Sequence, residues 1–568
     1  MTAKRRAAAI ALAGLAWASA PPLEAQVAEA DTTVPAAAPD VRELIRNRIE
    51  HERGVDAVRV AGDTLWLPSV AARFYEKRGF EPAWSRDDTM TATADSLLST
   101  LRRAGADGLR PSDYHVGRAQ ALLEALHRAP TPDPGDVADL DLLLTDGYMA
   151  FTSHLVSGRL DPVTLAPRTE DAPEGLDLPG RLEHALSAGG VRRSLVEVME
   201  ASDPGYRRLR TALAHYRSLA ARGGWPMLPL AEDGDVLARG FVGAAVPVLR
   251  RLLVDTGDYA PPADEDAGTD APGALKFDAG LEGAVRRFQA RHGLLETGAV
   301  GPRTRAALTV PPGRRARQIE VNLERWRWLP RELGRRYVLV NIAAFAVEAV
   351  EAGTTVMSMP AIVGTAYRQT PVFSDTITYV VFNPSWRVPR DIARGELVPL
   401  IRKDPGYLAR EGLHVIGPDG REIDPATIDW EGLPSRVPWR LEQQPGPRNA
   451  LGRVKLMFPN PYEVYLHGTP QPELFQHAVR AFSHGCIRLE RPLELARYVL
   501  DGAGEWDDER IREVLEGEHE VTVPLLRPVP VYVEYWTAWG KPDGTVQFRD
   551  DIYERDRVLD RALPPAEK

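Results

Sequence analysis

The stretch "RAFSHGCIRLERP", residues 480–492, contains Cys486, the one cysteine among 568 residues. Small and polar residues precede this thiol directly: Ser483, His484 and Gly485. A free cysteine that only packs behaves as a small hydrophobe and belongs in an apolar run, which is not its setting here. A single cysteine also cannot form an internal disulfide. The stretch therefore predicts a reactive thiol.

A thiol becomes a strong nucleophile as the thiolate, so it needs a nearby base or a positive field. Two histidines are candidates: His467 in "YLHGTP", and His484, which shares a face with Cys486 if the segment is extended. Sequence spacing does not choose between them. Gly485 allows a close backbone turn, so that neighbouring amides can face a developing oxyanion. Nucleophile, base and oxyanion pocket together indicate acyl transfer.

The N-terminus, "MTAKRRAAAIALAGLAWASAPPLEAQVAEA", predicts a signal peptide and cleavage region over residues 1–30 and hence a periplasmic protein. A basic start precedes an apolar run over residues 7–17, and cleavage is expected near Ala20, Ala25 or Ala30. An uncleaved anchor is the alternative. No later segment has the length of a membrane span. In an oxidising compartment structural cysteines come in pairs, which strengthens the interpretation of Cys486 as functional.

The composition and the net charge limit the class of protein to which the chain can belong. Hydrophobic residues make up 44% and charged residues 26%, as in ordinary soluble globular proteins. The net charge of −10 argues against nucleic acid as a partner, because phosphate binding leaves a basic footprint. A chain of 568 residues exceeds one compact core, so two to four domains are expected.

Local patterns predict a multidomain α+β protein. Apolar residues at helical spacing recur in residues 140–158 and 206–226, whereas alternating β-branched residues begin near Tyr337. Residues 529–548 look like a hairpin with its turn at residues 542–544. The predicted parts are a linker (31–40), a helical scaffold (41–230), a small helical unit (233–310), a mainly β domain (317–525) with an inserted cap at about 389–444, and a C-terminal hairpin and tail (526–568).

The motif "HGTP" followed by "SHGCIRL" resembles the signature of the YkuD-type L,D-transpeptidases. Other stretches are similar to the large, multidomain periplasmic branch of that family: "GGWPMLP" (223–229), "RWRWLP" (325–330), "NPSWRVP" (383–389), "PGPRNALGRVKLMFPN" (445–460) and "YWTAWGKPDGTVQFRDDIY" (535–553). The resemblance covers most of the mature chain. Residues 281–308 also resemble a peptidoglycan-binding helical module, with Gly298, Gly301 and Thr304 at matching positions; a plain scaffold is the alternative.

The resemblance implies a role for each matching residue. Cys486 would be the nucleophile, and His467 would accept its proton and later protonate the leaving amine. Backbone around Gly468 would orient the imidazole. Ser483, His484 and Gly485 would shape the pocket, with amides near Gly485 and Cys486 as oxyanion donors. Arg488 stands where many small family members have Asn; it would grip a substrate carboxylate or form an ion pair with Glu490 or Glu494. Trp386 would line the groove or anchor the core.

The resemblance also implies the reaction and the partners. The thiolate would attack the third stem residue of a peptidoglycan tetrapeptide, release D-Ala and pass the acyl group to another stem as a 3→3 cross-link. That activity would serve cell-wall organisation and cell shape, with stem peptides and glycan strands as partners and no cofactor or metal. His115, His154 and His215 lack ligand spacing and are expected to pack or lie on the surface. Hydrolysis of the same thioester and a non-catalytic wall-binding scaffold are the alternative functions.

Overall fold

The computed structural model describes residues 40–51, 58–86, 89–168, 175–200, 203–229, 236–260, 275–500, 506–517 and 519–565. The predicted signal peptide (1–30) and all of the predicted linker except Asp40 lie outside these residues. Within them, no helix combines the length and the apolar character that crossing a bilayer requires. The multidomain α+β architecture predicted from the sequence is confirmed.

The N-terminal region is helical. Its helices are Val41–His51, Pro68–Lys77, Ala92–Leu101, Val116–Arg128, Pro134–Ser157, Leu178–Ser187, Val191–Glu200 and Pro204–Ala221, accompanied by short strand pairs Arg59–Val60 with Asp63–Thr64 and Ser85–Arg86 with Thr89–Met90. Helix Pro134–Ser157 is buried over most of its length and confirms the helix predicted at 140–158. Asp133 starts it by accepting hydrogen bonds from the amides of Gly135 and Asp136.

A smaller helical unit follows, with helices Ala245–Asp255, Ala279–Arg291 and Pro302–Leu308 around their own apolar core. The side chain of Gln289 organises the turn between the last two helices. Its amide oxygen accepts from the Gly298 amide at 2.9 Å, and its nitrogen donates to the Thr304 hydroxyl at 3.0 Å. Gly298 has φ of +73°, a conformation that favours glycine. Gly298 and Thr304 thus hold the fold of this unit.

Helix Pro312–Arg327 connects the helical part to the rest of the chain. Arg327 is buried, pairs with Glu324 at 2.8 Å and donates to the carbonyl of Asp107. Arg325 pairs with Asp556 at 2.5 Å near the C-terminus. Because such buried charges are costly to leave unpaired, this helix fixes its neighbours on both sides.

The β domain is built on a nine-stranded sheet. Its strands are Arg336–Asn341 (β1), Ala346–Glu351 (β2), Thr354–Gly364 (β3), Phe373–Phe382 (β4), Val454–Met457 (β5), Leu466–His467 (β6), Ala481–Ser483 (β7), Ile487–Leu489 (β8) and Val521–Glu534 (β9). Hydrogen bonds join them in the order β7-β3-β8-β6-β5-β4-β9-β1-β2, and β2 also pairs with β3. The pairing therefore runs in a circle around an apolar core. The predicted strand at 454–457 is confirmed.

An insertion between β4 and β5, residues 386–443, forms a separate small unit that we call the cap. Its strands Trp386–Arg387, Leu413–Ile416, Glu422–Ile423 and Arg440–Gln443 form one sheet, and its helices are Arg390–Ile392, Val398–Lys403 and Tyr407–Glu411 with a π-helical stretch Ala393–Leu397. The cap has its own apolar cluster, to which Trp386 contributes. It covers one side of the cavity described below.

The C-terminal part returns to the sheet. Helices Pro492–Leu500 and Asp508–Glu516 precede β9, and the hairpin Ala538–Gly540 with Val546–Phe548 and helix Arg555–Ala562 follow it. β9 runs without a break through the predicted boundary between residues 525 and 526. Its residues 529–534, predicted as the first arm of the hairpin, pair instead with β1 and β4. The reason is burial, since alternating apolar residues there fill the core of the sheet.

Candidate active site

The register of the strands places the polar and titratable side chains of the predicted site on one face of the sheet. Leu466 and His467 of β6 pair in parallel with Ile487 and Arg488 of β8. Side chains alternate along a strand, so the buried Leu466 and Ile487 face the core and the residues beside them face the other way. Cys486, one residue before Ile487, lies on the same side as Arg488. A cavity of about 850 Å³ opens on that side, between the sheet and the cap.

Lys455 joins this face from β5, where it pairs in register with His467. Its ammonium lies 3.9 Å from the centre of the Tyr465 ring, and both residues line the cavity with Cys486. Sequence analysis did not single out either residue. The signal was present as alternation, because polar Lys455 stands between buried Val454 and Leu456.

The Cys486 thiol is held as a weak acid. Burial raises the pKa of Cys486, while hydrogen bonds from Tyr465 and the charges of Lys455 and Arg488 oppose the rise. The thiol donates to the carbonyl of Glu463 at 3.7 Å. The resting sulfur is therefore a protonated thiol, surrounded by groups that would stabilise its anion.

The His467 imidazole is neutral at ordinary pH. The ring is 4% exposed, and burial lowers the pKa of His467 to about 3, helped by the positive charges of Arg488 and Lys455. Backbone groups of Gly468 and Leu451 act in the opposite direction on its pKa. A neutral imidazole keeps one unprotonated ring nitrogen that can accept a proton, which is the property a general base needs.

The loop before the thiol is tightly bonded. The Ser483 hydroxyl donates to the carbonyl of Cys486 at 2.5 Å and accepts from the Gly485 amide at 3.1 Å. Thr370 donates from its hydroxyl to the carbonyl of Gly485 at 2.8 Å. Gly485 has φ of +117°, which other residues adopt only with strain. In this arrangement the Gly485 amide bonds within the loop.

His484 does not follow the extended path that would place it on the Cys486 face, since the positive φ of Gly485 interrupts the strand between them. Its Nε2 instead contacts the carboxylate of Glu396, in the cap, at 2.5 Å. Arg368 donates to the same carboxylate at 2.8 Å. Both histidines line the cavity, but only His467 shares the strand face of Cys486.

The remaining predicted site residues have mixed surroundings. Arg488 donates to Gln471 at 3.4 Å, and its Nε is buried without a partner among the described residues. The carboxylates of Glu490 and Glu494 lie beside Arg491, at 3.5 and 3.0 Å, so the alternative ion pair of Arg488 with them is not formed.

Two further predicted residues frame the cavity. Trp386 is half-buried and does both things that were expected as alternatives: it lines the cavity and packs on the apolar cluster of the cap. The Gly468 amide donates to the carbonyl of Val454 at 2.9 Å, which fixes the backbone directly after His467. Within the described ranges, no three His, Cys, Asp or Glu side chains are arranged to hold a metal ion.

Comparison with known families divides the chain into recognised parts. Residues 335–523 match the L,D-transpeptidase catalytic domain of the YkuD family. Residues 242–308 match a family described as "Putative peptidoglycan binding domain", and residues 69–213 match a scaffold domain family.

Two individual relatives match parts of the chain. A protein of Haemophilus influenzae described as "Putative L,D-transpeptidase" is 34% identical over 225 residues, which is 40% of this chain and 45% of that protein. An N-acetylmuramoyl-L-alanine amidase of Mycobacterium tuberculosis is 44% identical over 81 residues, 14% of this chain and 20% of the amidase. Both matches span less than half the length of the relative.

Among solved structures, the L,D-transpeptidase fragment from Xylanimonas cellulosilytica covers 54% of this chain and 100% of its own, with 17% identity and a TM-score of 0.18. A superposition with this TM-score adds nothing to the sequence matches.

Proposed function

Because the chain carries an L,D-transpeptidase catalytic domain of the YkuD family and a peptidoglycan-binding domain, we propose that it is a peptidoglycan L,D-transpeptidase acting through a thioester on Cys486. The observation that carries the proposal is the strand register that sets His467 and Arg488 side by side on the face of Cys486, within one cavity. The domain division predicted from the sequence and a periplasmic location belong to the same proposal.

The first half of the reaction forms the thioester. The Cys486 sulfur attacks the carbonyl of the third stem residue, and the proton of the thiol passes to the neutral imidazole of His467. The bond to D-Ala then breaks, and the imidazolium returns the proton to the departing amine. A neutral imidazole at rest suits this step, since its low pKa makes the imidazolium a strong acid for the leaving group.

The second half regenerates the enzyme. The amine of a second stem attacks the thioester carbonyl, His467 takes its proton, and the proton goes back to the sulfur as the carbon–sulfur bond breaks. A 3→3 cross-link and the free thiol result. The energy of the original peptide bond is carried in the thioester, so no nucleotide is consumed.

Charge in the transition state is stabilised from two sides. The Cys486 backbone amide and the Tyr465 hydroxyl are the donors we assign to the oxyanion, because the Gly485 amide bonds to Ser483. Lys455 and Arg488 place two positive charges beside the sulfur. They also suit the carboxylates of the donor stem, with Arg488 as the planar partner for a terminal carboxylate.

The test is mass spectrometry of the full-length protein incubated with a disaccharide-tetrapeptide. We expect an adduct on Cys486 that equals the donor without its terminal D-Ala, followed by tripeptide-containing dimers. Cys486→Ala is the matched control and should give neither product while its melting temperature stays close to that of the parent protein. A parent protein that never acquires the adduct would overturn the proposal.

The same experiment separates the hydrolytic alternative. An L,D-carboxypeptidase or endopeptidase would form the same adduct and release D-Ala, but it would yield tripeptide monomers without dimers. A non-catalytic wall-binding scaffold would bind the muropeptide without changing it.

A further inference from the structure

A second cavity lies apart from the Cys486 face. It has a volume of about 230 Å³ and is enclosed by four parts of the chain: the end of helix Ala279–Arg291 with the residues after it, the turn 343–345 between β1 and β2, the segment 476–480 before β7, and the region after the C-terminal hairpin. Three arginines line it: Arg303, which pairs with Asp550, and Arg480 and Arg549, after which we name the cavity. We refer to it as the two-arginine cavity.

Arg480 has no carboxylate in its hydrogen bonds within the described residues. Its guanidinium donates to the backbone carbonyls of Ala361 at 3.2 Å, His477 at 2.7 Å and Phe345 at 3.0 Å. These neutral oxygens position the guanidinium, and the carboxylate whose charge acts on it, Glu490, is exposed and lies beside Arg491.

Arg549 is similar. Its Nη1 donates to the carbonyls of Arg291 at 2.9 Å and Phe548 at 2.7 Å, and its guanidinium lies 4.8 Å from the centre of the Trp539 ring. Its Nε is buried and has no partner among the described residues. Gly293 makes room for the side chain, because a Cβ there would come within 2.6 Å of the Arg549 Cδ.

The two arginines repel each other. Burial and the charge of Arg480 lower the pKa of Arg549 to about 10, and only Asp550 acts in the opposite direction. The Asp550 side chain is 79% exposed and already lies 3.6 Å from Arg303 at the rim. Glu296, the other acidic residue of the lining, is exposed. Two like charges beside one partly enclosed cavity attract an anion into it.

We propose that the two-arginine cavity binds a carboxylate of a peptidoglycan stem peptide, as a second contact with the wall beside the catalytic face. The volume suits a carboxylate-bearing side chain and is too small for a disaccharide. One wall belongs to the unit that matches the peptidoglycan-binding family, residues 242–308. The proposal rests on peptidoglycan being the substrate. It adds a docking point that is separate from the reacting stem.

The position of the two-arginine cavity indicates what a stem peptide bound there would do. Arg480 precedes Cys486 by six residues along the chain and bonds to the backbone of β3, the strand that also pairs with β7 and β8. A stem bound here would hold a neighbouring part of the polymer close to the catalytic cavity. Polymeric wall would then be retained more strongly than isolated muropeptides, through two linked contacts.

The test measures binding of full-length Cys486→Ala protein to purified sacculi in a sedimentation titration. Adding Arg549→Gln or Arg480→Gln should each weaken binding by about three- to ten-fold and flatten its salt dependence. Arg251→Gln is the matched control, since it removes the same charge from an exposed position of helix Ala245–Asp255, in the unit that supplies one wall of the cavity but outside its lining. It should bind as the parent does.

A second version of the experiment changes the sacculi and leaves both arginines in place. Sacculi whose stem carboxylates have been converted to amides should bind the parent as weakly as unmodified sacculi bind the Arg549→Gln protein. Equal binding of parent and both arginine variants would overturn the proposal, and so would unchanged binding to amidated sacculi, which would place the anion in residual wall phosphates. Thioester formation by the protein with Cys486 intact tests the proposed function separately, so the two failures are distinguishable.

Discussion

Lys455 and Tyr465 form a cation–π pair with 3.9 Å between the ammonium and the ring centre, on the cavity wall that carries Cys486. The ring holds the ammonium where its charge lowers the pKa of the thiol, and the thiolate charge in turn raises the pKa of Lys455 against the effect of burial. The pair thus favours ionisation of the Cys486 thiol, and it also borders His467, whose ring centre lies 5.5 Å from that of Tyr465.

We predict that Lys455→Gln makes Cys486 harder to ionise. Loss of the positive charge should move the pH profile of iodoacetamide alkylation to higher pH by about one unit. Cys486 is the only cysteine, so the alkylation rate reports on this thiol alone. Lys403→Gln, an exposed position in the cap, should leave the profile unchanged. A profile of Lys455→Gln that coincides with that of the parent would show that Lys455 exerts no field on the sulfur.

We predict that activity persists into acid further than an ordinary histidine base allows. With its pKa lowered to about 3, His467 stays unprotonated from pH 7 down to about pH 4, so kcat/KM for D-Ala release should show no acid limb near pH 6.5. A limb near that value would contradict the assignment of the base. His467→Gln should reduce the rate by about 100- to 10,000-fold, whereas His484→Gln should cost less than ten-fold.

We predict that Glu396 holds the cap against the β domain. Its carboxylate contacts both His484 and Arg368, and both contacts bridge the cap and the β domain. Glu396→Gln removes the charge and should increase deuterium exchange across residues 390–411 several-fold. Glu422→Gln, which affects a contact with His414 inside the cap, is the control. The loss of overall stability should be small, about 1 kcal/mol, since the pair is partly exposed. Exchange that rises equally in both variants would assign no special role to Glu396.

We predict that the fold loses stability as the pH falls below about 6.5. Burial lowers the pKa of His154 to about 3 and of His292 well below its ordinary value. As the pH falls below about 6.5, the unfolded chain binds protons at these sites before the folded chain does, so the free energy of unfolding decreases. The His154 site should cost about 2 kcal/mol at pH 5, and the His292 site should act in the same direction.

The buried His115 changes the free energy of unfolding in the opposite direction. Two neighbouring carboxylates raise its pKa to about 9 despite burial, so the stabilisation from His115 is lost as the pH rises towards 9.

The variant His292→Phe tests the predicted loss of stability in acid, because it keeps the stacking on Phe288 and Phe548 but does not titrate. Denaturant midpoints at pH 7 and pH 5 should differ less for this variant than for the parent. Equal differences would exclude His292 as a source of acid sensitivity.

The sequence was most informative where periodicity and motif agreed. The helix at 140–158 and the strand at 454–457 followed from spacing alone, because burial on one face imposes it. The motifs around His467 and Cys486 placed both residues at one cavity. Which histidine faces the thiol did not follow, because that depends on φ of Gly485, a backbone angle that spacing does not encode.

Contacts between residues that are far apart in the chain were the second feature that the sequence did not predict. Nothing local to β9 distinguishes a hairpin arm from a strand that pairs with β1, almost two hundred residues earlier in the chain. Glu396 was missed for the same reason, since its role comes from a cap residue meeting a loop in the β domain. The two arginines of the second cavity lie in different units, and only the folded chain brings them together.

The position of β9 in the sheet determines when, during synthesis of the chain, the β domain can complete its fold. This strand lies between β4 and β1, with Val531 beside Val338 and Val529 beside Ile377, so the circle of strands stays open until residues 521–534 have been synthesised. Pairings so distant in sequence form late and slowly. A chain whose synthesis has not reached β9 therefore carries Cys486 on an unfinished scaffold, and the wall of strands behind the cavity is complete only once residues 521–534 have been added.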